Sequence, residues 1–132
     1  MGKIYVYNIN REDHSSSEYD WYCGRSKNGN VLGNPFTHNG KHSSLAKLSF
    51  KTRDEAIMAY EKYFDYMYGR DETFTNEIDK MYAAYKEGHD IYLGCFCKPL
   101  PCHADIIAKK LQKRLILERK HEKSVLNSLI NV

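Results

Sequence analysis

Ile91-Tyr92-Leu93-Gly94-Cys95-Phe96-Cys97-Lys98-Pro99-Leu100-Pro101-Cys102-His103-Ala104-Asp105 is the stretch whose reading decides the fold. Ile91-Tyr92-Leu93 has the β-branched and aromatic content of a buried strand. Beyond the stretch, Ile106, Ile107, Leu111 and Leu115 recur at helical spacing. The cysteines between them therefore sit on a strand–turn–helix junction, at the carboxyl end of the strand and the amino end of the helix. Open α/β folds place their ligands there. A helix start also carries free N–H groups and a partial positive charge, which suit anions and lower a thiol pKa.

Working outward, Lys3 to Asn8 alternates like a first strand, and Trp21-Tyr22-Cys23 reads as a second that runs into Gly24-Arg25. Asn10 to Asp20 is a polar surface loop, and Ser26 to Asn30 is a turn. Leu32-Gly33-Asn34-Pro35-Phe36 opens a long connection to Ser49, and loops of that length in a small domain are functional or mobile. Thr52 and Glu55 form a capping box for a helix with Ala56, Tyr60, Tyr63, Phe64 and Met67 on one face, ending near Gly69. Thr75 opens a second helix, with Ile78, Met81, Tyr82 and Tyr85 apolar and Gly88 as its stop. The last helix runs from about His103 to about Lys120. The expected architecture is α/β: a small single-domain Rossmann-like layer structure with a short, mostly parallel sheet flanked by helices. Residues 1–123 form the one domain, and 124–132 are a C-terminal tail or a short helix.

The 132 residues suffice for one core, and 28% charged residues with a mean hydropathy of -0.67 exclude a membrane-embedded chain. Met1 to Val6 reads as a strand and not as a signal peptide, so a cytoplasmic location is expected. In that reducing setting the four cysteines are thiols or metal ligands before they are disulfides. A net charge of +3 by itself selects no partner.

Two readings of the junction stand side by side. In the first, Cys102 is the N-cap of the last helix, Pro101 stiffens its entry and Asp105 occupies the third helical position. Cys102 and His103 then face a strand-end crevice, with His103, Asp105 and Cys102 as candidate catalytic groups. Asp105 also stabilises a helix start with no further role. Arg25 is a natural grip for phosphate or carboxylate, and Asn34 offers amide donor and acceptor for a base or ribose. Tyr22, Gly24, Arg25, Gly33, Asn34, Pro35 and Cys95 are the candidate ligand-binding residues. In the second reading, Cys95, Cys97, Cys102 and His103 make a C-x-C-x4-C-H set of thiolate and imidazole donors for zinc. Elsewhere, His38 and His42 read as surface residues. Lys109, Lys110, Lys113 and Arg114 begin a basic run on the last helix that either meets nucleic acid or complements the helix dipole.

Tyr22-Cys23-Gly24-Arg25, Leu32-Gly33-Asn34-Pro35-Phe36 and Cys95-Phe96-Cys97 through Cys102-His103-Ala104-Asp105, in that order, resemble domain-of-unknown-function family 4326. The resemblance covers most of residues 20–112 and departs from the family pattern at Cys23, where an aliphatic residue is more usual. It implies an intracellular, phage-encoded α/β domain and supplies no reaction. The function expected from the residues is binding or processing of a nucleotide-like, phosphate-bearing small molecule at the strand-end pocket. The alternative is a zinc-stabilised interaction module for a host protein or nucleic acid. No membrane partner is expected, and zinc is the one cofactor considered.

Overall fold

The computed structural model describes residues 2–26, 29–37, 48–49 and 52–130. His38 and His42 lie outside these residues. The elements in order are β1 (Ile4–Asn8), β2 (Asp20–Tyr22), β3 (Phe36–Thr37), β4 (Leu48–Ser49), α1 (Arg53–Met67), α2 (Glu72–Lys86), β5 (Ile91–Cys95) and α3 (His103–Ile130). The main sheet has the order β1-β5-β2 and is parallel throughout, as expected for a small α/β domain. Ile4 stands opposite Ile91, Asn8 opposite Cys95, and Trp21 opposite Leu93. Cys23 continues the ladder by one bond, donating its N–H to the Gly94 carbonyl at 2.9 Å. A second, two-stranded parallel pair joins β3 to β4.

Period-two alternation in β5 sorts the layers. Ile91, Leu93 and Cys95 are 0–1% exposed and belong to one core with Tyr60, Phe64, Phe74, Ile78, Met81, Ile107 and Leu111 from the three helices. The helices thus cover one face of the sheet. The opposite face is closed by aromatic rings from the sheet and from the loop after β1: Tyr5 stacks on Tyr92, and His14 stacks on Tyr92 and meets Tyr7 edge-on. Tyr7 is buried there and donates its hydroxyl hydrogen to Asp20 at 2.6 Å.

Thr52 caps α1 as expected, accepting the Glu55 N–H at 3.2 Å. The second helix starts three residues before Thr75, at Glu72, because the Asp71 side chain accepts the Phe74 N–H at 2.8 Å. Thr75 instead accepts the Gly69 N–H and ties the turn between the helices. The last helix, expected to end near Lys120, continues unbroken as α3 to Ile130. Neither Gly nor Pro interrupts residues 103–130, so nothing in the chain stops the helix. Its burial ends earlier, with Leu115 the last buried residue. Among the described residues, no helix is long and apolar enough to cross a membrane.

A polar seam joins α2 to α3. Arg114 reaches Asp79 at 3.0 Å and lies over the Tyr82 ring at 3.9 Å from its centroid. Tyr68 donates to Asp79, and Tyr82 donates to Glu118. The Tyr68 hydroxyl, the largest effect, holds the Asp79 carboxyl below its usual range; burial opposes it, and Arg114 adds to the lowering. Lys109 pairs with Glu61 at 3.1 Å and Lys110 with Asp65 at 2.9 Å, so much of the basic run on α3 faces acids of α1.

Two outcomes follow from this packing. Leu93→Ala should cost about 2–5 kcal/mol in urea unfolding, and Leu129→Ala, beyond the core, less than about 0.5 kcal/mol. Asp79 has a lower folded than unfolded pKa, so its stabilising effect is present above about pH 4 and is lost as pH falls through the folded value. Asp79→Asn should therefore narrow the stability difference between pH 6 and pH 3, by well under 1 kcal/mol because the pair is partly exposed.

Candidate functional site

Parallel pairing places the carboxyl ends of β1, β5 and β2 on one edge, and the chain leaves each of them into a loop. The loop after β5 is anchored by Asn8, which donates to the Phe96 carbonyl at 3.2 Å and to the Lys98 carbonyl at 2.9 Å. The loop after β2 is anchored by Asn30, whose amide donates to the Tyr22 and Gly24 carbonyls, each at 2.8 Å. Gly24 lies under the Tyr22 ring: an added Cβ would stand 2.2 Å from the Tyr22 hydroxyl, which donates to the Arg25 carbonyl at 2.9 Å. Tyr60 of α1 donates to the Leu32 carbonyl at 3.1 Å and fixes the next segment.

Between these loops and the starts of α1 and α3 lies a cavity of about 270 Å³. Tyr22, Gly24, Arg25, Asn34, Cys95, Cys97, Cys102 and His103 line it, so eight of the residues singled out in the sequence share one pocket. Gly33 and Pro35 line an adjoining hollow with Arg25, Asn30 and Tyr63. Asp105 lines neither. Its carboxylate accepts the Cys102 N–H at 3.0 Å and pairs with Lys98 at 2.6 Å. Together with the Ala104 N–H, which donates to Cys102 Sγ at 3.5 Å, this makes a cap at the start of α3. Asp105 is thus placed as a helix-capping group.

The two arginines are engaged differently. Arg25 Nη1 donates to the Asn34 carbonyl at 3.0 Å and to the Phe36 carbonyl at 3.1 Å, so it first of all holds the loop. Asn34 is similarly engaged, accepting the Phe36 N–H at 3.0 Å. Arg53, which sequence reasoning passes over, begins α1 and lines the pocket, with a long bond of 3.4 Å to the Pro101 carbonyl and the Cys97 thiol beside it. One signal in the chain does mark it: it is the first helical residue after a capping threonine. Phe36, Phe96, Ala56 and Ile57 complete the apolar wall.

The thiols and His103 form the floor. His103 Nε2 lies 2.5 Å from the Cys23 carbonyl oxygen, and Nδ1 lies 3.5 Å from Cys102 Sγ. Burial lowers the His103 pKa and keeps the ring neutral. Cys102, with a nucleophile's chemistry beside an imidazole, is only 1% exposed. Hydrogen bonding to the neighbouring thiols and burial push its thiol up, the opposite of an activated nucleophile. Cys97 is half-buried, and hydrogen bonds from Cys102 and Cys95 hold its thiol below the ordinary range, with Arg53 adding to the effect. Buried Cys23 is pushed up by desolvation and lies outside this group. Among the described residues, no group of three or more His, Cys, Asp or Glu side chains is placed to hold a metal ion.

A three-stranded parallel sheet, helices on one face and a strand-end pocket floored by cysteine and histidine define a small α/β domain. The chain belongs to the family described as Domain of unknown function (DUF4326), whose model matches residues 7–113. The match spans every loop that builds the pocket and ends within α3, two residues before Leu115, its last buried residue. No curated protein and no solved structure matches the chain.

Asn30→Ala removes both bonds to the Tyr22 and Gly24 carbonyls. It should cost about 1–3 kcal/mol in urea unfolding, and faster amide exchange should be confined to residues 22–34.

Proposed function

We propose that the pocket binds a small nucleotide-like molecule bearing a phosphate. The observation that carries this reading is the meeting of two helix starts, α1 at Arg53 and α3 at His103, with two guanidinium groups around one cavity whose described lining includes no carboxylate. Helix starts present N–H groups and a partial positive charge, and together with arginine they favour an oxyanion. Tyr22, Phe36 and Phe96 supply flat apolar surfaces beside that charge, which suits a stacked ring joined to an anionic group.

Within this reading Arg53 makes the direct grip. Its bond to the Pro101 carbonyl is long, and a phosphate oxygen is a far better acceptor than that carbonyl. Arg25 contributes charge while holding the wall, and Asn34 shapes the wall through its own turn. Tyr22 and Phe96, in edge-to-face contact with centroids 6.0 Å apart, form the rim through which a ring enters.

The test is a thermal-shift panel of nucleoside mono- and diphosphates and sugar phosphates, followed by calorimetry on any hit. A member of the panel should raise the melting temperature of the wild type. Arg53→Ala should weaken its binding by about ten- to a hundredfold, as expected for one charge-assisted bond, with unchanged unfolding. A panel with no stabilising member, or an Arg53→Ala variant that binds as the wild type does, sinks the reading.

A further inference from the structure

We propose that the outer face of α3 binds duplex DNA through its phosphate backbone. The fold accounts for only part of the basic run on this helix. Lys109 and Lys110 pair with Glu61 and Asp65 of α1, and Arg114 pairs with Asp79 of α2. Lys113, Arg119, Lys120 and Lys123 are exposed and meet no acid among the described residues. The helix dipole does not explain them either. Its effect is confined to the final turn of a helix, and α3 runs on to Ile130 with no basic residue in that turn.

The charges are also sorted by face. At the helical repeat, Lys113, Lys120 and Lys123 fall on one side of α3, with Arg119 at its margin. Beyond Asp105 the acids of α3 are Glu118 and Glu122, and both turn toward Lys86 of α2, at 2.9 and 3.5 Å. The outer side is therefore a stripe of one sign, about 15 Å long from Lys113 to Lys123. Arg119 and Lys123 stand at i, i+4 and Lys120 and Lys123 at i, i+3, spacings at which like charges repel. A row of phosphates offsets that repulsion, and each contact releases a counterion.

Shape selects the duplex. Every residue from 119 to 130 is exposed, so the end of α3 stands clear of the domain. A helix is about 10–12 Å across, and the major groove of B-DNA is about 12 Å wide. Single strands are held by aromatic platforms on which unpaired bases stack, and α3 contains no Phe, Tyr or Trp. The stripe lies apart from the pocket, whose lining on α3 is His103 alone. A failed nucleotide panel therefore leaves the DNA surface standing, and a protein that ignores DNA leaves the nucleotide pocket standing.

The experiment is fluorescence anisotropy of the full chain with a labelled DNA duplex of about 20 base pairs, between about 50 and 200 mM salt. Binding is expected at the lower salt, with log K falling against log salt at a slope of about −3 to −4, as four phosphate contacts require. The double variant Lys120→Glu with Lys123→Glu should bind at least about tenfold more weakly and with about half the slope, with the circular dichroism of the wild type. Should the double variant fail to fold, Lys113→Gln decides, and it should reduce the slope by about one. Arg53→Ala should bind the duplex as the wild type does. A chain that ignores the duplex at about 50 mM salt overturns the proposal. So does a folded double variant with unchanged affinity, or a single strand of the same sequence bound more tightly than the duplex. Binding to phosphatidylserine vesicles with no binding to the duplex also overturns it and assigns the stripe to a lipid surface.

Discussion

The burial of β5 is the constraint on which the rest of the structure depends. It is the central strand, with β1 on one edge and β2 on the other. Its core-facing residues share one core with residues of all three helices. β2 is only three residues long, and β3 and β4 only two each, so none of these has the length to organise a sheet. β5 lends β1 and β2 a common partner. Both edges and one face of β5 are covered by protein and the other face carries aromatic rings, so the chain opens into loops where the strand ends. The pocket lies at that end, and its position follows from the topology before any side chain is considered.

What the topology leaves open is how three loops leaving the same edge are kept from collapsing or fraying. Loop carbonyls near a core need partners. In this domain each loop receives one from a particular side chain. Asn8 holds the loop after β5, Asn30 and Arg25 hold the loop after β2, and Tyr60 holds Leu32. His103 joins the start of α3 to the end of β2 through the Cys23 carbonyl. The walls of the cavity are therefore built largely from satisfied backbone, and a rigid cavity loses less entropy when it orders a ligand.

Much of this is legible in the chain. The strand–turn–helix reading of residues 91–115, the Thr52 cap and the parallel sheet all follow from local patterns that tertiary contacts reinforce. The convergence of Tyr22, Arg25, Asn34 and the cysteines is legible because strand ends in a parallel sheet share an edge. Other features are not. Asp71 and Thr75 are both good caps, and the choice between them depends on which N–H each side chain reaches. The length of α3 escapes a reading based on apolar spacing, because its burial ends at Leu115 whereas its propensity to stay helical does not, and helices end where the backbone is interrupted. Arg53 escapes notice because a first-turn residue is read for its helix propensity, and its proximity to Pro101 and Cys97 is a fact of tertiary packing.

The exchange of roles between Arg25 and Arg53 carries a general point about reading function from residue type. A glycine-arginine pair at a strand end looks like an anion grip, and the guanidinium does face the pocket. Yet the same five donors that suit a phosphate also suit loop carbonyls, and a small domain with few residues per loop uses them there first. Asn34 and Asp105 follow the same logic, one closing a turn and the other capping a helix. Side chains that hold the fold have short, well-aligned bonds to it, whereas those left for a ligand have long bonds or none. By that measure Arg53, 3.4 Å from its carbonyl and beside the Cys97 thiol, is held less tightly by loop backbone than Arg25 is.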